Sequence, residues 1–439
     1  MRLFWKMDEA RLSALWREKS RRYVAAVNAY VERGLREGWD KAGSEPEDDR
    51  ANLAPRVLAA VRAANKSGNT ASLRQKFPPA YEPFLTIINE KGQELAPIAW
   101  IDDSRIALRL RPEHSVGPVT VVQHDGIVEQ ARVRSFGRSA DRRFFALALE
   151  EGIEVREGWD GRRVAFLPWP TGREGLPAES DGHREFDASW VKQLVVFPDG
   201  QRVLITCADG VFVLSAAGAT RLLPTPAQYD RRRRDDPNVA LNRVLSMVHG
   251  AVSRRGDLVL AGHQDSMHVV FDAKLEQIAE IPPACSYPHF AWFSADGEVA
   301  AFNACHFYNG TTIGIRVADL DRVYTPFDER DVLRTLEDGA RVYAAVARGD
   351  EFIIGDAVGY LRAFDVQGNF RWQHFVGATI SALDLSPDQR KLAVASHGGI
   401  LCVLELDAQE PDPFAIGTAS QRELQRWLFW KGEEQVLNW

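Results

Sequence analysis

Residues 380–407 constrain the fold of this chain more than any other stretch. Three short apolar segments follow one another there, separated by tight turns at 386–388 and 397–399. Segments of this kind joined by such short turns predict an antiparallel meander. The same pattern returns at 190–215 and 290–303, with Asp-Gly in the turns. A meander that repeats every few tens of residues is the signature of a β-propeller.

The repeats predict seven blades between residues 84 and 413. Residues 84–90 read as a strand without a blade of their own. We expect this strand to complete the last blade, because pairing the two ends of the chain removes exposed sheet edges. The mean spacing of the predicted innermost strands is about 47 residues, close to the length of a propeller blade. These strands are expected to begin near Pro97, Arg132, Trp190, Val244, His289, Val342 and Ile380.

Helical patterns flank the predicted propeller on both sides. Apolar residues recur at intervals of three and four over 8–39, and a second helix follows at 53–64. Residues 1–76 therefore predict an N-terminal helical hairpin, and the prolines of 77–83 mark a linker because proline disfavours helix. At the other end, 414–439 is expected to form a short amphipathic helix that begins with a capping box. The predicted fold class is all-β, a seven-bladed β-propeller with these helical additions.

Charge, cysteines and hydropathy narrow the classes of function. The net charge of −7 argues against nucleic-acid binding, although residues 1–76 carry 16 Lys and Arg against 10 Asp and Glu. Four widely separated cysteines without a Cys-x-x-Cys pair suit a reducing compartment and argue against a structural zinc. No apolar run is long enough to span a membrane. We expect a cytoplasmic protein without membrane contact, metal or other cofactor.

Short motifs from residue 84 to residue 407 resemble those of WD-repeat and related bacterial β-propellers. The resemblance is divergent, since no blade ends in Trp-Asp and 366–372 is similar to the Gly-x-x-x-Trp ending of quinoprotein-type propellers. It implies the fold and leaves the subfamily open. The motifs that carry it are the Ser-x-Asp turns at 294–297 and 386–388 and the strand endings Phe271-Asp272, Phe364-Asp365 and Leu404-Glu405.

The resemblance implies a protein-interaction platform. Bacterial propellers of this kind often belong to multiprotein systems that include ATPases, which is an analogy only. The first hypothesis is therefore a non-enzymatic scaffold or recognition subunit of a bacterial multiprotein complex. The second hypothesis is an enzyme, or a sensor of a small ligand or metal, that uses polar residues at the propeller mouth. The sequence contains no phosphate-binding loop and no nucleophile-elbow serine.

Polar and aromatic residues are expected to gather in loops at one end of the ring. Loops that enter the innermost strands share this end with the turns between second and third strands, and such loops carry function on a rigid scaffold. The most distinctive piece is 303–310, where such residues crowd a turn. The enzyme or sensor hypothesis depends on three histidines, since imidazole binds transition metals. The candidate ligand or partner face contains Trp190, His263, Asp265, His289, His306, Tyr308, Asn309, Asp356 and His397.

Two further segments offer partner-binding residues. The aromatic residues of the C-terminal stretch require burial, either on this protein or in a partner or second copy. The basic run at 231–234 either contacts phosphate or an acidic partner, or it forms a solvated loop whose charge the flanking aspartates largely cancel. The candidate residues are Trp427, Phe429, Trp430, Arg231, Arg232, Arg233 and Arg234.

Overall fold

The computed structural model describes residues 8–111, 117–123, 126–175, 186–235, 244–322 and 332–439. Parts of the loops at 170–184 and 224–238, and the central part of 319–339, lie outside the described residues. None of the described helices is both long enough and apolar enough to cross a membrane. The α-helices are α1 (Glu9–Glu37), α2 (Trp39–Ala42), α3 (Ala54–Ser67), α4 (Leu73–Lys76), α5 (Leu85–Lys91) and α6 (Pro226–Asp235). Short 3-10 helices cover Glu82–Phe84, Ala188–Trp190 and Val317–Arg322.

Most strands fall into antiparallel groups of four that follow one another along the chain. Within the described residues there are seven such groups, here called meanders 1 to 7. The first three contain β1 (Glu94–Trp100), β2 (Ile106–Arg111), β3 (Val119–Gln123), β4 (Gly126–Glu129); β5 (Ser135–Ser139), β6 (Phe144–Ala148), β7 (Gly152–Glu157), β8 (Arg163–Pro168); and β9 (Val191–Val196), β10 (Val203–Cys207), β11 (Gly210–Ser215), β12 (Gly218–Leu223).

Meanders 4 to 7 continue the pattern to the C-terminal end of the sequence. Meander 7 carries a fifth strand, β29, at its outer edge. The strands are β13 (His249–Val252), β14 (Val259–Gly262), β15 (His268–Phe271), β16 (Gln277–Ile281); β17 (Tyr287–Phe293), β18 (Val299–His306), β19 (Asn309–Arg316), β20 (Arg334–Asp338); β21 (Val342–Arg348), β22 (Glu351–Asp356), β23 (Tyr360–Asp365), β24 (Phe370–Phe375); and β25 (Ile380–Leu385), β26 (Lys391–Ser396), β27 (Ile400–Glu405), β28 (Arg422–Leu428), β29 (Leu437–Asn438).

The first strand of each meander lies next to the first strand of the following meander. The series closes on itself, because β25 of meander 7 packs against β1 of meander 1. Between meanders 2 and 3 the contact becomes a short parallel pairing of β5 with β9. A circle of meanders arranged in this way is a β-propeller. The propeller fold predicted from the repeats is therefore confirmed.

The junction between meanders 7 and 1 is closed mainly by side chains. Leu95 and Leu108 of meander 1 pack in one buried cluster with Val403 and Trp427 of meander 7. The backbone N–H of Trp100 also donates to the Asp384 carboxylate at 2.7 Å, and its indole N–H donates to the Asp384 carbonyl at 3.1 Å. The closure therefore combines apolar burial with hydrogen bonds to the carboxylate and the backbone carbonyl of one buried aspartate.

The predicted closing strand at 84–90 is wrong. This stretch forms a 3-10 turn and then α5. Phe84 and Ile88 lie four residues apart, so a helix places both on one face, where they join the core of the N-terminal helices. The fourth strand of meander 7 is β28, whose Leu428 pairs with Ile400 and whose Arg422 pairs with Glu405.

The C-terminal helix predicted within 414–439 is also wrong, because β28 and β29 occupy most of that segment. The exposed edge of β27 supplies hydrogen-bonding partners along its length, and such tertiary pairing outweighs local helix signals. Glu423, which resembled a capping-box residue, instead pairs with Arg426 at 2.7 Å and Arg74 at 2.9 Å. These guanidinium groups hold the pKa of its buried carboxyl down at about 2 against the opposing effect of burial.

The N-terminal helices α1 and α3 pack with the outer edge of meander 7. Val57 and Val61 of α3 lie in one apolar cluster with Leu428 of β28 and Leu437 of β29. The indole N–H of Trp439 donates to the Phe77 carbonyl at 2.7 Å. The helices therefore cover a sheet edge that would otherwise be open to association.

We predict that Trp439→Ala loosens this seam. The indole is buried, and Phe84 packs against it edge to face with ring centroids 5.2 Å apart. Its removal leaves a cavity and should lower the free energy of unfolding by about 3–5 kcal/mol. Denaturant titration followed by far-UV circular dichroism measures the loss in the free energy of unfolding. Leu424→Ala, at a half-exposed position of β28, is the matched control, and equal stability of the two variants would contradict the prediction.

Candidate functional site

One end of the ring collects the segments singled out in the sequence. The innermost strands begin there, and the turns from second to third strands return there because neighbouring strands are antiparallel. We call this end the mouth face. It includes the turns after β14, β18 and β26, which carry His263, Tyr308 and His397 respectively, and the end of β22 at Asp356.

Large apolar side chains are exposed on the mouth face. Phe307 and Tyr308, at the tip of the β18–β19 hairpin, are 75% and 72% exposed. Exposed aromatic groups of this size are uncommon on a surface without a binding partner and are typical of interface hot spots. Other exposed apolar residues that belong to strand starts or turns at this end are Trp190, Val244, Tyr287 and Val358.

The hairpin tip is held in an unusual conformation. His306 pairs with Asn309, which leaves Phe307 and Tyr308 as the two turn residues. Phe307 has φ of 53°, in the left-handed region that is costly for a residue with a bulky side chain. A guanidinium N–H of Arg341 donates to the Phe307 carbonyl at 2.8 Å and so fixes the tip from the neighbouring meander. Strained residues of this kind cluster at functional sites.

The predicted histidines make separate contacts. His263 is buried in its own turn, where its Nδ1 accepts from the Asp265 N–H at 3.2 Å. His306 bonds to Ser286 at 2.9 Å, and His397 packs edge to face on Tyr343. Across the residues that the structure covers, no group of three or more His, Cys, Asp or Glu side chains is arranged to hold a metal ion.

His289 lies under the mouth face and orients Arg341. Its Nδ1–H donates to the Val342 carbonyl at 2.6 Å, so Nε2 is left to accept from Arg341 at 3.2 Å. Burial, together with the nearby cations, lowers the pKa of His289 well below its ordinary value. The neutral imidazole is therefore a positioning group for the guanidinium that fixes Phe307.

Asp356 is part of a buried ion-pair network. It accepts backbone N–H groups from Val358 at 3.0 Å and Tyr360 at 2.8 Å, and it pairs with Arg362 at 3.0 Å. Arg362 also approaches Glu337 at 3.6 Å. Burial raises the pKa of Asp356, and it raises that of Glu337 to about 7. The network fixes the turn between β22 and β23 and presents no carboxylate to a ligand.

Positive charge gathers at the mouth of the channel inside the ring. Four residues from the mouth-face ends of meanders 1, 3 and 6 contribute it, and we call them the channel cations: Arg109, Arg111, Lys192 and Arg341. Arg111 pairs with Glu94 at 3.2 Å. Arg109 is buried and donates to the carbonyls of Ala96 and Val191 at 3.1 and 3.3 Å. Burial lowers its pKa to about 9.

Lys192 is exposed and is the second residue of the innermost strand β9. Its ammonium group donates to the Val248 carbonyl at 3.3 Å. Desolvation lowers the pKa of Lys192 to about 8, with Arg111 and Arg341 acting in the same direction and Glu94 opposing them. The side chain is therefore still mostly protonated at neutral pH.

The two predicted partner-binding segments have different environments. Trp427, Phe429 and Trp430 are buried within this chain, between meander 7 and its neighbours, so the described surface does not offer them to a partner. The basic run is not a loop but lies in α6, which follows β12 at the mouth-face end. Arg231 and Arg234 are exposed there.

The channel cations lie outside the motifs that the sequence offers. A weak signal for Lys192 and Arg109 is that each is a charged residue within a largely apolar strand, VKQLVV and IALRLR. Such a residue requires a compensating environment when the strand is central. Phe307 lies within the distinctive segment 303–310, but its exposure could not be predicted, since an aromatic residue between β-strands is usually buried.

A cavity of about 310 Å³ lies away from the mouth face, between α1, the 78–82 segment and the outer strands of meanders 6 and 7. Carboxylates largely neutralise its arginines. Arg50 pairs with Asp48 at 2.5 Å, and Arg422 pairs with Glu405 at 2.6 Å. We interpret this space as the seam between the helices and the ring.

Comparisons with known proteins add a fold neighbour. No protein-family model and no curated protein sequence matches the chain. Among solved structures, it is similar to the β-propeller domain of Cps50 (Swd1) from Myceliophteria thermophila, with 13% sequence identity and a TM-score of 0.42. The match covers 72% of this chain and 93% of the other.

Glu337→Gln should change how stability depends on pH. A carboxyl pKa raised from 4.5 to about 7 means that the folded protein binds this proton more tightly than the unfolded chain does. The resulting stabilisation is complete below pH 4.5 and is lost as the pH rises to about 7. The variant should therefore be more stable than the parent at about pH 8, by up to about 3 kcal/mol, and equal to it at about pH 4.

Thermal unfolding across this pH range measures the effect of Glu337→Gln. Glu410→Gln, at an exposed position, is the control and should follow the parent at every pH. A variant that loses stability at high pH would show that the Arg362 pairing outweighs desolvation.

Phe307→Asn should stabilise the protein. Asparagine tolerates the left-handed region better than phenylalanine does, and the Arg341 bond to the backbone carbonyl is retained. We expect a gain of about 1 kcal/mol in the free energy of unfolding. Tyr308→Asn is the matched control, because Tyr308 lies at the same tip without a positive φ. A gain in the control but not in Phe307→Asn would contradict the strain argument.

Proposed function

We propose that this chain is a non-enzymatic recognition or scaffold subunit that binds a protein partner through the mouth face of a seven-bladed β-propeller. The observation that carries the proposal is the hairpin tip, where two aromatic side chains are largely exposed on a strained and braced turn. Aromatic anchors on a rigid scaffold lose little conformational entropy when they bind, which makes them efficient contact residues.

The surroundings of the tip support a docking surface. Tyr287 lies beside it and stacks on His306 with ring centroids 6.5 Å apart. Trp190 and Val358 extend the apolar character of the same end. Polar and charged side chains surround these groups, as in the rim of a typical interface. The separate contacts of His263, His306 and His397 give the enzyme or metal-sensor alternative no comparable support.

The setting of this function is part of the proposal. We place the protein in the cytosol of a bacterium, within a multiprotein complex, as the sequence resemblance suggests. All four cysteines are free thiols, which fits a reducing compartment. The participation of an ATPase in that complex is an analogy drawn from related propellers. The proposed units are an N-terminal helical segment, which extends through α5 to Lys91, and the propeller from β1 onward.

We predict that Phe307→Asn weakens partner binding. Affinity capture from the native host with the purified parent protein identifies the partner, and the purified pair then gives a dissociation constant. Loss of one aromatic hot spot should weaken binding by about tenfold or more. Phe370→Asn is the matched control, since Phe370 is equally a surface phenylalanine, 51% exposed, at the start of β24 on the opposite end of the ring. Equal binding by the parent and Phe307→Asn would refute a docking role for the tip.

A further inference from the structure

Two cations at the channel mouth make no ion pair with the described part of the chain. Lys192 bonds only to the Val248 carbonyl. Arg341 donates to His289 and to the Phe307 carbonyl, and its guanidinium lies 4.9 Å from the Tyr343 ring. Among the described residues, neither cation forms an ion pair with a carboxylate, and the acceptors of their hydrogen bonds are neutral.

The neighbouring charges increase the positive potential there. Lys192 lies within electrostatic range of Arg111 and Arg341, and Arg109 is within range of Arg111. Glu94 is the carboxylate that faces this group, and it is already paired with Arg111. Like charges that are partly desolvated repel one another more strongly than they do in bulk water. An incoming anion would relieve that repulsion and gain charge-assisted hydrogen bonds.

A hydrogen bond links the aromatic tip to Arg341, one of the two cations. Arg341 bonds to the backbone of Phe307, so the cation and the exposed ring keep a fixed relative position. A group that reaches Lys192 and Arg341 must pass the mouth face on which Phe307, Tyr308 and Trp190 are exposed. The channel mouth thus combines two cationic side chains with exposed aromatic side chains around them.

We propose that the channel mouth receives the carboxylate of an aspartate or glutamate side chain on a protein partner, between Lys192 and Arg341, while an adjacent apolar residue of the partner packs on Phe307 and Tyr308. This inference rests on the proposed function and names the chemistry of the segment that is recognised. The partner's acidic residue enters the channel, and its backbone stays on the mouth face.

A single carboxylate fits this site better than a nucleic-acid backbone does. Binding a polyphosphate strand depends on many cations spread along a track. Here only two cations at the channel mouth lack an ion pair within the described residues, and the chain as a whole carries a net charge of −7. Acidic side chains such as Asp265 also lie on the same face and would repel neighbouring phosphates. Oligonucleotide binding is therefore a separate outcome of the test.

The test uses peptides selected on the full chain. Peptides that bind the parent protein are first selected from a phage library of random twelve-residue peptides. Two versions of the consensus sequence are then synthesised. One keeps the acidic residues, and the other has asparagine or glutamine in their place. Both peptides are titrated against the parent and against Lys192→Met, which keeps the apolar stem of the side chain and removes the charge. Lys274→Met, an exposed lysine in the β15–β16 turn, is the matched control.

We expect an acidic residue beside an aromatic or aliphatic one in the selected peptides. Binding should weaken about tenfold when either the peptide carboxylate or the Lys192 charge is removed, and removal of both should cost little more. The control variant should bind like the parent. Stronger binding of the acidic peptide at low salt is expected as well.

Three outcomes would overturn the inference. They are selected peptides without acidic residues, equal binding by the parent and Lys192→Met, and Lys192-dependent binding of a single-stranded oligonucleotide in place of the peptide. The capture experiment with Phe307→Asn is independent of these results. Partner binding that depends on Phe307 but not on Lys192 would leave the proposed function intact and remove the carboxylate receptor alone.

Discussion

The closed ring depends on the contact between the first and last meanders. All described strands of meander 7 come from the C-terminal part of the sequence, and β1 meets β25 through side chains and a few hydrogen bonds. Asp384 is the centre of this contact, since its buried carboxylate accepts from the Trp100 N–H and pairs with Arg138 of meander 2. One carboxylate therefore connects three meanders. Its loss would leave buried donors and a buried charge without partners, which is costly in a low-dielectric setting.

The position of the outer edge of meander 7 follows from this mode of closure. Because β28 and β29 come from the same end of the chain as the rest of the meander, the final edge faces outward and needs a cover. The N-terminal helices provide it with a single apolar stripe, and Trp16 and Trp439 each donate an indole N–H to a backbone carbonyl of the 77–78 segment. The N-terminal helices thus meet β28 and β29 at the helical seam, whereas the ring itself closes at the contact between β1 and β25.

The mouth face is a consequence of the same geometry. A closed ring brings the starts of distant strands to one opening, so residues separated by more than a hundred positions, such as Lys192 and Arg341, influence one another electrostatically. The sequence repeats were sufficient to predict which turns share this end. They were not sufficient to predict which side chains face the channel, because that depends on strand register and on the packing of adjacent meanders. His263 illustrates the difference, since it lies in a predicted turn but is buried against its own backbone.

The sequence by itself determined the repeated meanders, the propeller fold and the two long N-terminal helices, because local periodicity and turn residues encode these features directly. Only the tertiary structure decided how the ring closes. Residues 84–91 are helical and 422–428 form a strand, since β27 offers an open edge to whichever segment reaches it and the helical core accepts Phe84 and Ile88. The tertiary structure also decided where charge remains unbalanced. Pairing between distant side chains, which no local pattern records, joins Arg74 to Glu423 and Arg138 to Asp384. Lys192 and Arg341 have no such ion pair among the described residues.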